Sequence, residues 1–538
     1  MSTEHNFAAR FFEHARVRPH QDALIVETGG RDSFGERALE RRTFAQLTER
    51  AAAYARGLRE VAGIERGEKV LLLVKPSLEF FEVAIALYAI GAVPVLIDPG
   101  MGLPGFLRCV AQNQPTAMLA IPAGQLLSRV YRSAFASVRK RVTVGPALFG
   151  GVSLSRCFRP GPAEIEPVQA DDTVAILFTS GSTGTAKGVR YSHRMLSTQA
   201  DFIGALYDIR PGEVDVPCFL PFAIFSVGLG MTVALPSIDF SRPAQADVRA
   251  VQRAVLRHEA VQLVGSPTLL RRLVQDCQER GLRLPTVRRV LTFGAPIPEQ
   301  LHRGLAAVLG PWSEVFTPYG ATEALPVASI AASEILAGTA EETAAGAGTC
   351  VGRVVPDTEV AIVAIHEEPI PRWDDSLRLA RGQVGEICVK GAQVSPEYMG
   401  LPDDNAVSKI ADEGGFWHRM GDVGYIDGAG RLWFCGRKSH RVRLADGGTL
   451  FPDMAEGVFN THPAVARSAV VGVRGQAVLI VEAAPDEALR AALLQMAAKL
   501  ELTRPVARVL FHASLPVDRR HNAKIDRPAL AHWAESQI

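Results

Sequence analysis

The segment from Ile176 to Val189 constrains this chain more than any other; it reads Ile-Leu-Phe-Thr-Ser-Gly-Ser-Thr-Gly-Thr-Ala-Lys-Gly-Val. A strand-like apolar run, Val174 to Phe178, empties into glycines and hydroxyls, and one lysine closes the loop. Gly181, Gly184 and Gly188 let the backbone turn tightly and aim several N–H groups at one anion. Thr179, Ser180, Ser182, Thr183 and Thr185 add hydroxyl donors, and Lys187 adds a point charge. The pattern predicts a cradle for a polyphosphate. It is not the Walker loop, because no glycine precedes Lys187 and Gly188 rather than Ser or Thr follows it. Alone, such composition also fits an ordinary surface loop. The buried-looking strand before it, and the helix-compatible pattern of Val189 to Leu196 after it, favour the cradle.

The 538 residues exceed what one hydrophobic core supports, so at least two domains are expected. Thr43 to Leu58 reads as a helix with Thr43 and Gln46 at capping-box spacing. A strand (Val70 to Val74), a helix (Leu78 to Ile90) and a second strand (Val93 to Ile97) follow. The rhythm returns at Ala260 to Val264, Pro267 to Arg280 and Val287 to Thr292. This alternation predicts an α/β fold with parallel strands. After about residue 350 the texture turns β-rich, with short strands at Glu359 to Ile365, Gly385 to Lys390 and Gly430 to Cys435. Ala337 to Gly348 reads as a loop. Gly436 to His440 is the strongest boundary, giving a large N-terminal domain, 1–436, and a small α+β lid, 437–538.

Charge excludes one class of partner, since 58 Lys and Arg offset 57 Asp and Glu and leave no broad basic face for nucleic acid. The longest apolar run, Val83 to Ile97, is broken by Gly91 and Pro94 and falls short of the ~20 residues that span a bilayer. Seven scattered cysteines without a CxxC pair suit neither a metal site nor a disulfide frame. Together with an N-terminus lacking signal-peptide regions, they make the cytoplasm the expected compartment.

The chain holds four further constellations. Thr317-Pro318-Tyr319-Gly320-Ala321-Thr322-Glu323 offers a flat ring for a purine and a carboxylate for a hard cation. Thr292-Phe293-Gly294-Ala295-Pro296 is a strand-end turn. Trp417 to Asp422 ends in an aspartate able to accept from two hydroxyls at once. Pro516 to Ile525 is a basic turn ending on Lys524-Ile525.

With the phosphate loop these make five ordered matches over about 350 residues, and nearly the whole chain resembles the adenylate-forming superfamily: acyl-CoA synthetases, luciferases and the adenylation domains of peptide synthetases. The resemblance implies ATP and Mg2+ as cofactors. It implies ATP contacts from Thr179 to Gly184, Lys187, Gly294, Ala295, Pro296, Tyr319, Gly320 and Thr322. Glu323 and Thr183 would hold magnesium, Asp422 and Arg437 the ribose, and Lys524 would be the lysine that bridges acyl carboxylate and α-phosphate. Met420 and Ala523 depart from the superfamily's usual Thr and Gly.

Other departures fall on the thiol-dependent second step. Leu220 to Gly228 lacks the histidine of thioester-forming relatives, Ser439 stands at the hinge position, and Val473 passes almost directly into Gln476. With Tyr319 to Val327 and Arg520 to Ile525, this resembles the β-lactone synthetases of bacterial olefin biosynthesis. The resemblance implies adenylation of a long-chain 2-alkyl-3-hydroxy acid and attack by its own 3-hydroxyl, and other enzymes of that hydrocarbon pathway as partners. Phe222, Phe225 and Gly228 are candidates for the acyl wall, and His521 for the base that takes the hydroxyl proton. A fatty acyl-CoA synthetase or acyl-AMP ligase, and a non-catalytic ATP-binding module, are the alternatives.

Overall fold

The computed structural model describes residues 5–31, 37–178, 186–517 and 524–538. Among these residues, two large sheets carry the α/β part. The first has seven strands, in the order Val152–Ser153, Lys140–Thr143, Ala117–Ala120, Lys69–Leu73, Val93–Leu96, Thr173–Phe178 and Gly188–Ser192, parallel except for the last. The second has fourteen strands. Asp22–Arg31, Thr232–Leu235, Val214–Pro217, Gln262–Val264, Arg289–Leu291 and Glu314–Ala321 form its parallel half. The chain then reverses into Ala324–Ala331, and the β-rich region adds antiparallel strands out to Glu359–Val363.

Helices apolar all round lie where sequence pattern places them, inside the protein. Leu78–Ala89 is buried except for Glu79, and Leu220–Gly228 is buried from Phe222 onward. Both belong to one core that also takes residues from both sheets. The capping box at Thr43 forms as expected: Gln46 N donates to Thr43 Oγ1 at 3.2 Å, and Thr43 N donates to Gln46 Oε1 at 3.0 Å. The helix Pro267–Arg280 has the bounds read from the sequence.

The chain from Pro452 onward builds a three-stranded sheet, Ser468–Val473, Gln476–Glu482 and Val506–His512, covered by the helices Pro452–Phe459, Glu487–Lys499 and Arg527–Glu535. Its two cores contain no buried residue before Val442. The first two strands are joined by Arg474 and Gly475 alone, with φ of 49° and 76°. Two positive φ values in a two-residue link match the twist of the flanking strands, so nothing longer is needed there.

Two expectations are corrected. After the phosphate loop the chain does not enter a helix; Gly188–Ser192 returns as a strand antiparallel to Thr173–Phe178, with Gly188 opposite Phe178 and Arg190 opposite Ile176. Alternation decides this, since Val189 and Tyr191 point inward and Arg190 outward, and the helix begins only at His193. A Cβ at Gly188 would stand 3.1 Å from the Phe178 ring, so glycine permits the close return. The segment expected as a loop, Ala337 to Gly348, instead holds the helical turns Ile335–Thr339 and Ala340–Ala344, as its alanines and glutamates favour. Among the described residues no helix is long and apolar enough to cross a membrane.

Candidate active site

One cleft of ≈ 3010 Å³ lies where the sheets and the C-terminal region meet. It exceeds the roughly 300–1,000 Å³ of an ordinary ligand pocket, room for more than one small ligand. Lys187, Gly294, Ala295, Pro296, Tyr319, Gly320, Thr322, Glu323, Asp422, Arg437 and Lys524 all line it, as do Phe222 and Phe225. Residues spread over 338 positions of sequence, Lys187 to Lys524, therefore converge on one space. Thr179, Ser180, Gly181, Ser182, Thr183, Gly184 and His521 lie outside the described residues.

Asp422 is at the centre of the polar wall. The strand Gly415–Ile426 pairs with Arg431–Arg437 so that Asp422 faces Arg437 directly. Arg437 Nη1 stands 2.9 Å from Asp422 Oδ1, and the Tyr319 hydroxyl donates to Oδ2 at 2.7 Å. The arginine contact is an ion pair without hydrogen-bond alignment, because buried Oδ1 has no hydrogen-bond donor among the described residues. Such an acceptor is costly to leave unmet and fits a hydroxylated ligand. Burial pushes the Asp422 carboxyl up, against the charge of Arg437, the Tyr319 bond and the charge of Lys524. Tyr319 is held well above its ordinary value by burial and by Asp422, so it stays a donor.

Glu323 occupies the turn after the strand Glu314–Ala321. Ser395 N donates to its carbonyl at 2.7 Å, and the Tyr398 hydroxyl donates to Oε1 at 2.7 Å. The neighbouring Thr322 carbonyl accepts from the Tyr191 hydroxyl at 2.6 Å. Lys187 Nζ is 2.6 Å from Asp404 Oδ1 and 4.9 Å from the centre of the Tyr398 ring. A second lysine, Lys409, lies 5.8 Å from that ring and donates to Ser395 O at 2.5 Å. Burial pushes Lys409 down to about 7, against the charges of Glu323 and Glu397. Among the described residues no group of three or more His, Cys, Asp or Glu could hold a metal by itself.

The sequence offered no sign of Tyr398, Asp404 or Lys409. Their segment mixes Pro, Gly, Asp and Asn and reads as a loop; only the tertiary fold lays it beside Glu323.

The apolar wall is built by the helix Leu220–Gly228. Phe222 stacks on Phe293 at 5.9 Å and 28°, and Phe225 meets Phe222 edge-on at 5.9 Å. Phe293 precedes Gly294, so this helix and the turn at Thr292 to Pro296 touch. Phe222 and Phe225 are core residues and cleft residues at once. Gly228 is not at the cleft. Helical rotation turns it toward Phe7 and Phe11, whose rings lie 3.5 and 3.8 Å from a Cβ built there, and its carbonyl faces His14 Nε2 at 3.1 Å.

Residues 11–399 match the AMP-binding enzyme family. The chain is 43% identical to the olefin beta-lactone synthetase of Xanthomonas campestris pv. campestris, over 100% of this chain and 99% of that one. It is 42% identical to the olefin beta-lactone synthetase of Stenotrophomonas maltophilia, over 99% and 98%. The solved amide bond synthetase McbA of Marinactinospora thermotolerans superposes with a TM-score of 0.78 at 25% identity, covering 98% of this chain and 99% of that chain. A cleft lined from both the sheets and the C-terminal region, on a fold shared from end to end, leaves one assignment: this chain belongs to the AMP-binding enzymes, the adenylate-forming ligases.

Proposed function

We propose that this ligase uses ATP and magnesium to adenylate a long-chain 2-alkyl-3-hydroxy acid and then closes it to a β-lactone, as a cytoplasmic step of olefin biosynthesis. The observation that carries the reading is the 43% identity, over the whole chain, to an olefin beta-lactone synthetase. In the first step a carboxylate oxygen attacks the α-phosphorus and pyrophosphate leaves. In the second the 3-hydroxyl oxygen attacks the acyl carbon, the bond to AMP breaks, and the hydroxyl proton passes to a base. Tethering nucleophile to electrophile supplies the proximity that a thiol would otherwise have to find. Phenylalanines at 222 and 225, in the helix where thioester-forming relatives carry a histidine, and the two-residue link Arg474-Gly475 support this reading.

On this reading residues 1–436 bind the substrates, and 437–538 act as a lid that brings Lys524. Asp422 Oδ1 takes the ribose hydroxyls. Lys187 exchanges Asp404 for phosphate oxygens. A magnesium ion would neutralise phosphate charge, and Glu323 and Thr183 are the residues that would hold it. Glu323→Gln is expected to raise the magnesium concentration for half-maximal rate about tenfold or more, because an amide oxygen is the poorer ligand. Tyr398→Phe, which frees Glu323 to rotate, is expected to move the same curve in the same direction but less. An unchanged magnesium titration in both variants would contradict the assignment.

The function is tested with two acids that differ only in the 3-hydroxyl. Both should support pyrophosphate exchange. Only the hydroxy acid should release AMP over many turnovers without a thiol, while its deoxy analogue should stall as bound adenylate. Sustained AMP release from the deoxy acid, on adding coenzyme A alone, would favour the acyl-CoA synthetase.

A further inference from the structure

Away from the cleft, one stretch of the chain breaks the overall charge balance. Between Asp98 and Glu164 there is no Asp or Glu, where the chain's mean density would place about seven. The same stretch carries Arg108, Arg129, Arg132, Arg139, Lys140, Arg141, Arg156 and Arg159. It also holds Leu126, Val130, Tyr131, Leu148 and Phe149, five of the large apolar side chains that the described residues leave exposed. Leu148 is 74% exposed and Val130 64%.

The fold brings two parts of this stretch together. The helix Pro122–Val130 buries Gly124, Gln125 and Ser128 and turns Leu126, Arg129 and Val130 outward. The loop from Gly145 to Gly151 runs along it. A Cβ at Gly145 would lie 3.9 Å from Pro122, and one at Gly150 would lie 2.7 Å from Arg129 Nη2. These two approaches set the loop that carries Leu148 and Phe149 against the helix that carries Leu126, Arg129 and Val130. The inner face of the same helix reaches the cleft through Ile121 and Gly124.

Exposed apolar side chains next to arginines, on a stretch of chain with no carboxylate of its own, match the layout of a membrane interface. Leucine, valine and phenylalanine enter the acyl boundary while guanidinium groups meet lipid phosphates. A nucleic acid would use the arginines but leave Leu148 and Val130 in water. We infer that the helix Pro122–Val130 and the loop Gly145–Gly151 form a docking face for an anionic lipid bilayer. The charge and exposure of the face carry this independently of the lactone chemistry.

The test is co-sedimentation of the full-length protein with vesicles of phosphatidylglycerol and phosphatidylethanolamine, against vesicles of phosphatidylcholine alone. The wild type should sediment with the anionic vesicles, less so as salt rises, and only weakly with the neutral ones. Arg129→Gln with Arg132→Gln should lower the partition about tenfold or more, and Leu148→Ser with Phe149→Ser comparably. Both double variants should keep wild-type pyrophosphate exchange with a short soluble acid, which shows them folded. Failure of the wild type to sediment, or undiminished sedimentation of both variants, would overturn the inference. Binding to an acidic protein with none to vesicles would also overturn it, and would assign the face to a protein partner.

Discussion

Lys524→Ala is expected to lose acid-dependent pyrophosphate exchange by roughly 100- to 1000-fold while ATP binding persists within a few-fold, since removing one charge aimed at the transition state typically costs that much. Lys524 sits on the rim of the cleft, and its charge is felt at Asp422. It arrives on a segment just before the helix Arg527–Glu535, whose Arg527 is anchored by the buried Glu456. The substitution therefore removes a tip and leaves its support. Exchange is read by isotope incorporation and binding by calorimetry. Exchange within a few-fold of wild type would move the catalytic charge to another residue; equal loss of binding and exchange would mean that the lid no longer docks.

The second large effect concerns stability and arises three residues before Asp422. Arg419 and Glu386 are each only 1% exposed at the side chain and pair at 2.7 Å. Arg419 Nη1 also donates to the carbonyls of Glu368 and Val407 at 2.9 Å, and its Nη2 donates to that of His366. Arg419→Met leaves the Glu386 carboxylate buried with Lys438 as its remaining cation, at 3.2 Å. Stranding a buried charge costs about 3 kcal/mol, whereas replacing the pair by apolar groups is often close to neutral. The single variant should lower the urea midpoint strongly, and Arg419→Met with Glu386→Leu should recover at least half of the loss. The KM for ATP should rise in the single variant, because Arg419 and Asp422 share one strand. A loss below about 1 kcal/mol would contradict the view that this ion pair fixes the strand.

The sequence made legible what local chemistry determines. Pro267 to Arg280 carries its own cap and stop, Ser266 before Pro267 and Gly281 after, so its bounds could be read outright. The same holds for Thr43 with Gln46. Arg437 and Asp422 could be nominated separately from their motifs. That they stand opposite each other follows only from the register of two strands. The helix expected after the phosphate loop failed because Gly188 to Ser192 is short, and its alternating pattern competes with the helical one that begins at His193. Gly228 was misplaced for a rotational reason: on a helix buried nearly all round, composition does not say which side meets the cleft. Tyr398 and Lys409 were invisible because nothing local marks a segment that will fold over Glu323, a carboxylate 75 positions before Tyr398.

The central claim is that the substrate's own hydroxyl, and no thiol, completes the reaction. The direct measurement is product analysis by mass spectrometry and NMR after incubating the enzyme with a 2-alkyl-3-hydroxy acid, ATP and magnesium, with and without coenzyme A. The account predicts a β-lactone with equal yields of AMP and pyrophosphate, formed at the same rate whether or not the thiol is present. A thioester as the main product, or AMP release that waits for coenzyme A, would contradict it.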